Sequence, residues 1–280
     1  MARPLRIQAP GLTYHVVARG VRRTSIYVDE VDRHKFLKLL AHVIQRYALL
    51  CHAYCEMTNH YHLAVTTTEA NLSRAVQRLN SHYAQWWNWR HERIGHVFQS
   101  RFNSQLIQED AYLVNVCRYI ILNPVRAGMA GSPEEWPWSS YRATVGLDPI
   151  PRFLDCNQLM AAVAPDNPAD GPNRLRRSLM ETDALALRFP RTAIVGDDAF
   201  ITRFQSLRAR ASREVPSREG RPALDAIFQG AITRCARNKA IETALRERYA
   251  AAEVARYLGL HPSTVSRIAS DEGLVPSARA

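Results

Sequence analysis

The chain has 280 residues, is 46% hydrophobic and carries a formal net charge of +11, which suits one large domain or a core domain with a smaller second one. No apolar run approaches the roughly 20 residues that cross a bilayer, and Met1–Arg6 lacks the apolar core of a signal peptide, so a membrane protein is excluded and a cytoplasmic location is expected. The positive charge indicates a polyanionic partner, because Lys and Arg release the counterions condensed on phosphate. Residues 1–150 and 201–280 are both basic, whereas 151–200 are nearly neutral.

The hydrophobic pattern of the N-terminal half predicts alternating strands and helices. The expected elements, in chain order, are a strand over Leu12–Arg19, a helix capped by Asp32 and reaching Tyr47, a hairpin of strands over Leu50–Thr58 and His60–Thr67, a helix over Asn71–His91, a strand over Asn103–Gln108, and a helix from Asp110 that Pro124 ends near Asn123. This order is typical of the split βαβ arrangement. The predicted fold class is therefore α+β, with a ferredoxin-like, four-stranded antiparallel sheet and helices on one of its faces.

The pattern weakens after Leu147, and turn-forming residues cluster over 164–173. We therefore predict a first domain over 1–147, a linker over 148–195 and a helical C-terminal domain over 196–280. Residues 251–268 have the pattern of helix, glycine turn and helix, which resembles the helix-turn-helix of replication-initiator C-terminal domains. A plain helical hairpin is the alternative. The outward positions of the second helix, predicted to contact DNA, are Ser263, Thr264, Ser266 and Arg267.

Two histidines, His60 and His62, lie two apart on a predicted strand, so both side chains leave the same face of the sheet. Imidazole is the commonest protein ligand for metals, and such a pair can bind one ion while other positions stay open to substrate. The pattern is short, however, and two polar residues on an exposed sheet face would produce it equally well.

Tyr119 and Asn123 are four residues apart on the predicted helix after Asp110, so they lie on one helical face. A nucleophile and a third metal ligand are thereby placed side by side. The alternative for Tyr119 is a core aromatic residue with its hydroxyl at the edge.

Four segments together resemble the IS200-like tyrosine transposases, and most of all their REP-associated branch. These segments are His60–His62, Gly95–Phe102, Arg118–Gly128 and Trp136–Tyr141. The resemblance covers about residues 1–147 and implies the HUH nuclease core of that family. The chain departs from the common family pattern at Thr58, where proline is usual, and at Ile121, where histidine is usual.

The resemblance implies a metal-dependent enzyme that nicks and joins single-stranded DNA. His60, His62 and Asn123 would bind Mg²⁺ or Mn²⁺, and Tyr119 would attack phosphorus to give a 5′-phosphotyrosine. The implied partners are single-stranded DNA and DNA hairpins, bound by a monomer or a homodimer, and no membrane. The alternative function is a sequence-specific DNA-binding regulator with an inactive nuclease core.

Basic side chains across the first domain are predicted to contact the DNA backbone. These are Arg19, Arg22, Arg23, Arg74, Arg78, Arg101 and Arg126. For the cluster after the first strand, a solvated loop is the alternative.

Overall fold

The structure is a computed structural model in which the chain divides into two compact units, Met1–Ser212 and Arg213–Ala280. The residues that it describes are 6–108, 111–181, 189–190, 192–213, 222–247, 249 and 251–271. Within them, no helix is long and apolar enough to cross a bilayer.

The first unit contains β1 (Leu12–Arg19), α1 (Glu30–Arg46), β2 (Leu49–Glu56), β3 (His60–Thr67), α2 (Leu72–Arg90), β4 (Asn103–Ile107), α3 (Ala111–Ile121), α4 (Asn123–Arg126), α5 (Tyr141–Thr144), α6 (Asn157–Val163), α7 (Gly171–Met180), β5 (Ile194–Val195) and α8 (Asp198–Arg213). The last residue of α8, Arg213, is the first residue of the second unit. Those of the second unit are α9 (Leu224–Phe228), α10 (Arg234–Arg246), α11 (Ala251–Leu258) and α12 (Pro262–Asp271).

The described strands form one mixed sheet in the order β2-β3-β1-β4-β5. The first four strands are antiparallel, as predicted, and β5 adds a short parallel strand beside β4. In the register of β1 and β3, Val17 lies opposite His62 and Arg19 opposite His60. This register brings the C-terminal end of β1 beside the histidine pair.

Helices cover both faces of the sheet, so the prediction of helices on one face is wrong. Leucines and aromatic residues of α1 and α2 pack with the alternate residues Tyr61 and Leu63 of β3. On the other face, α3, α6 and α7 pack with Ala53 and Ala64. The central strands are buried on both sides, and such strands need a helical layer on each face.

The residues predicted as a linker, 148–195, instead carry α6, α7 and β5. Leu159 of α6 and Leu175 of α7 are fully buried in the cluster formed by α3. These helices are short and contribute only a few apolar side chains each, which is too little for a periodic signal in the sequence.

The first helix begins earlier than predicted, because Asp29 rather than Asp32 is its N-cap and accepts a hydrogen bond from the Asp32 backbone N–H. Asp32 itself is fully buried. Its carboxylate accepts a hydrogen bond from the backbone N–H of Val28 and pairs with Arg90 of α2 and with His91, which follows that helix. The carboxylate thus links α1 to α2 rather than capping the helix.

The second unit has a small apolar core of its own, formed by Ile241, Ala244, Val254, Ala255 and Val265. Helices α11 and α12 are joined at Gly259, whose φ of +65° lies in the left-handed region that favours glycine. The predicted helix, turn and helix are present, and the assignment of this pair to DNA binding stays a prediction.

Candidate active site

His62 lies on the face of the sheet covered by α3 and is 5% exposed. Its Nδ1 is 2.8 Å from Nε2 of His15 on β1, and the two rings stack with centroids 5.1 Å apart. Its Nε2 is buried and has no hydrogen-bond partner among the described residues. A buried nitrogen without a partner is costly in a folded protein, so this atom is a candidate ligand atom.

His60 lies at the start of β3, half-buried, with its ring centroid 4.9 Å from that of His62. Its Nδ1 is 2.7 Å from Oδ1 of Asn59. Because Nδ1 makes this contact, Nε2 is the nitrogen of His60 that could bind a metal ion, as it is in His62.

His15, His60 and His62 are held in the neutral form. Burial lowers the pKa of His15 to about 4, against an ordinary value of 6.5. Burial, with the nearby charge of Arg19, lowers the pKa of His60 to about 4. The pKa of His62 is well below its ordinary value, first because of burial and then because of its histidine and arginine neighbours. Neutral imidazole is the form that binds metal ions.

Tyr119 on α3 is half-buried beside the histidines. Its ring centroid is 6.0 Å from that of His62 and 5.8 Å from that of His15, both nearly edge to face. Phe189 packs 5.2 Å away, and the guanidinium of Arg126 lies 4.6 Å from the ring centroid of Tyr119. The predicted nucleophile therefore packs against His62, and His62 in turn contacts His60.

Asn123 is buried at the start of α4, immediately before Pro124. Its Nδ2 donates to the backbone carbonyl of Tyr119 at 2.8 Å, and its Oδ1 is 3.5 Å from Nη1 of Arg126. The amide nitrogen is thus turned to the helix, which leaves the oxygen as the end able to act as a ligand.

A divalent ion suits the donors on this face. The part of the chain that the structure describes contains no cluster of three His, Cys, Asp or Glu side chains that could hold a metal. His60 and His62 offer two imidazoles, and the unpartnered Nε2 of His62 fits a metal ligand.

The predicted DNA-contacting arginines do not all lie near the histidines. Arg19 lies opposite His60 in the strand register, and Arg126 lies over the ring of Tyr119. Arg22 and Arg23 are exposed on the neighbouring loop, where the Arg23 carbonyl accepts from Nδ2 of Asn59.

The remaining predicted contacts lie elsewhere. Arg74 and Arg78 are exposed on α2, which packs on the opposite face of the sheet. Arg101 is exposed and lines a groove of about 470 Å³ between the 95–101 loop and α2.

On α12 of the second unit, Ser263 and Ser266 are exposed and Thr264 is half-buried. The side chain of Arg267 lies outside the described residues.

Sequence reasoning missed three residues of this site, His15, Gln105 and Phe189. The strand alternation of β1 places His15 on the same face as Arg19, which is a usable signal. Its pairing with His62 depends on the strand register, and Gln105 and Phe189 reach the site only through the tertiary fold.

Residues 8–123 match the family model described as "Transposase IS200 like". Residues 8–123 are therefore similar to an IS200-like transposase domain. The family resemblance in the sequence is confirmed, and the proteins that the chain resembles, the tyrosine transposases, are enzymes.

Among curated proteins, the chain is similar to the "Putative REP-associated tyrosine transposase" of Haemophilus influenzae. The two are 25% identical over 152 residues, which is 50% of this chain and 85% of that protein. Among solved structures, it is similar to one described as "Structure of the REP associates tyrosine transposase bound to a REP hairpin". That match has 20% identity and a TM-score of 0.47, and it covers 56% of this chain and 93% of the other.

Proposed function

We propose that the protein is a metal-dependent endonuclease and strand transferase that acts on single-stranded DNA at repeated palindromic hairpins. The observation that carries the proposal is the buried, unpartnered Nε2 of His62, whose ring packs against that of Tyr119. A candidate ligand atom beside a candidate nucleophile is the minimum that this chemistry requires.

His60 and His62, through Nε2, and Asn123, through Oδ1, are the residues that would hold Mg²⁺ or Mn²⁺. When bound, the ion would neutralise charge on the phosphate oxygens during displacement. Carboxylates are the more usual partners of Mg²⁺, whereas imidazoles suit Mn²⁺ better. We therefore expect the reaction to be faster with Mn²⁺ than with Mg²⁺.

Tyr119 is the covalent carrier in this proposal. Its Oη forms a bond to phosphorus while the bond from phosphorus to the 3′ oxygen breaks. The phenol proton leaves to solvent, and the departing 3′ oxygen takes up a proton. The products are a 5′-phosphotyrosine and a free 3′-hydroxyl, and because the phosphodiester energy is retained, attack by another 3′-hydroxyl reverses the step.

Arg19 and Arg126 would position the scissile phosphate. Arg19 is the register partner of His60 across β1 and β3. Guanidinium groups form strong, paired hydrogen bonds with phosphate oxygens. Arg126 also contacts the Tyr119 ring, so one side chain would orient both reacting partners.

Hairpin DNA is proposed as the substrate because the relatives named above are REP-associated. The two basic regions of the sequence, 1–150 and 201–280, support binding of a nucleic acid, whether single-stranded or double-stranded. In this proposal, the outward residues of α12 provide a second DNA contact.

The test is formation of a covalent adduct with a labelled single-stranded hairpin in the presence of Mn²⁺, resolved under denaturing conditions. The wild-type protein is expected to form the adduct and Tyr119→Phe to form none. Tyr112→Phe, on the same helix and equally half-buried, is the matched control and should form it normally. If the wild-type protein binds the hairpin but forms no adduct under any divalent ion, the alternative of a regulator with an inactive nuclease core is correct.

A further inference from the structure

We propose that Asn59, His15 and Gln105 are positioning residues that hold His60 and His62 in the tautomer with the proton on Nδ1. Each histidine then presents the lone pair of Nε2 to the site. The inference rests on the proposed function only for the identity of the ion that Nε2 would bind.

The tautomer of His60 follows from the orientation of the Asn59 amide. Nδ2 of Asn59 donates to the backbone carbonyl of Arg23 at 2.9 Å. A carbonyl only accepts hydrogen bonds, so the amide nitrogen must face Arg23 and Oδ1 must face His60. That oxygen, 2.7 Å from Nδ1 of His60, therefore requires a proton on Nδ1.

The tautomer of His62 is set through two residues, the first of which is Gln105 on β4. Its Nε2 lies 2.6 Å from the backbone carbonyl of Pro190 and 2.6 Å from that of Thr192. Both amide protons are used by carbonyls, so Oε1 of Gln105 must face His15. His15 Nδ1, 3.0 Å from this oxygen, is then the donor.

The tautomer of His15 determines that of His62. Neutral imidazole has one N–H and one lone pair, so His15, protonated on Nδ1, has its lone pair on Nε2. That lone pair accepts from Nδ1 of His62 at 2.8 Å. The proton of His62 is thereby fixed on Nδ1, and its buried Nε2 carries the lone pair.

Each of the two hydrogen-bond chains, one to His60 and one to His62, begins at backbone carbonyls. Both place the histidine proton on Nδ1. The other tautomer would point an N–H at a cation, which excludes coordination. Partners that fix a ligand histidine in this way typically change metal affinity 10- to 100-fold when they are removed.

The first test reads the tautomers directly in the metal-free protein, by long-range ¹H–¹⁵N NMR of the histidine rings. His60 and His62 should show a protonated Nδ1 and an unprotonated Nε2. A protonated Nε2 on His62 in the wild-type protein overturns the proposal. Because neither metal nor DNA is present, this result does not depend on the proposed function.

The second test measures Mn²⁺ affinity by calorimetry in His15 variants. His15→Phe removes the acceptor and should weaken Mn²⁺ binding about 10- to 100-fold, while His15→Gln, whose amide oxygen can accept from His62, should recover most of it. His52→Gln is the control, because His52 is also buried in this sheet but bonds to Thr66. Unchanged affinity in His15→Phe overturns the positioning role of His15, whereas failure of the wild-type protein to bind either Mn²⁺ or Mg²⁺ overturns the proposed function.

Discussion

The two faces of β3 carry opposite chemistry although alternate residues of one strand build them. On the face towards α3, His60 and His62 bond to polar neighbours and are kept neutral by burial. On the face towards α1 and α2, Tyr61 and Leu63 lie within an aromatic and aliphatic cluster. Neighbouring residues of one strand can therefore have different roles, and the strand register decides which role each has.

His62→Gln is the change that should affect activity most. Glutamine keeps a polar side chain of similar length but lacks the imidazole lone pair. We expect adduct formation to fall by more than about 100-fold, since even partners of metal ligands account for 10- to 100-fold. The rate of adduct formation with a labelled hairpin measures this. A rate within a few-fold of wild type would contradict the division between the two faces.

Leu63→Ala tests the opposite face at the next position along the chain. Leu63 is 2% exposed, and truncation of a buried leucine costs about 2–5 kcal/mol through lost transfer energy and the cavity left behind. Urea unfolding should show this loss in the free energy of unfolding. The folded fraction should form the adduct at the wild-type rate, and a specific loss of activity would show that the apolar face also serves catalysis.

Acid should destabilise the fold by protonating His15 and His60. The pKa of His15 and of His60 is about 4 in the folded state and about 6.5 when unfolded. Between these values the unfolded state binds more protons, so the stability contributed above pH 6.5 is lost as the pH falls towards 4. Each group contributes about 1.4 kcal/mol per pH unit over that interval.

Urea unfolding at several pH values from 7.5 to 4.5 measures this dependence. Tyr61→Phe, which alters only the other face, should keep the wild-type slope. His15→Gln should reduce the slope, because one of the titrating groups is absent. A wild-type stability that is constant over this range would show that the histidines are not held neutral.

Tyr61→Phe itself should have the smallest effect. The Tyr61 hydroxyl donates to Oδ1 of Asn80 on α2 at 2.6 Å. A hydrogen bond of this kind contributes about 1 kcal/mol net, which thermal or urea unfolding detects. Adduct formation should be unchanged, and a large loss of activity would contradict the separation of the faces.

The elements with strong local patterns were predictable from the sequence. Strand β1 was predicted with its observed bounds, and the hairpin of β2 and β3 follows from its two extended runs around Asn59. The pairing of Tyr119 with Asn123 is a local helical relation, so the four-residue spacing placed them together.

What was missed depends on contacts between distant segments. His15 and His62 are 47 residues apart, and Gln105 is anchored by carbonyls 85 and 87 residues further along. No local periodicity records such contacts. The second helical layer was missed for the same reason, because α6 and α7 are short and become a layer only when they pack on α3.

Identification of the residue that becomes linked to DNA tests the central claim most directly. The wild-type protein would be reacted with a single-stranded hairpin and Mn²⁺, digested to peptides, and the nucleotide-bearing peptide sequenced by mass spectrometry. The account predicts one modified residue, Tyr119, joined to a 5′-phosphate. Attachment to Tyr112, to any other residue, or to a 3′-phosphate would contradict it.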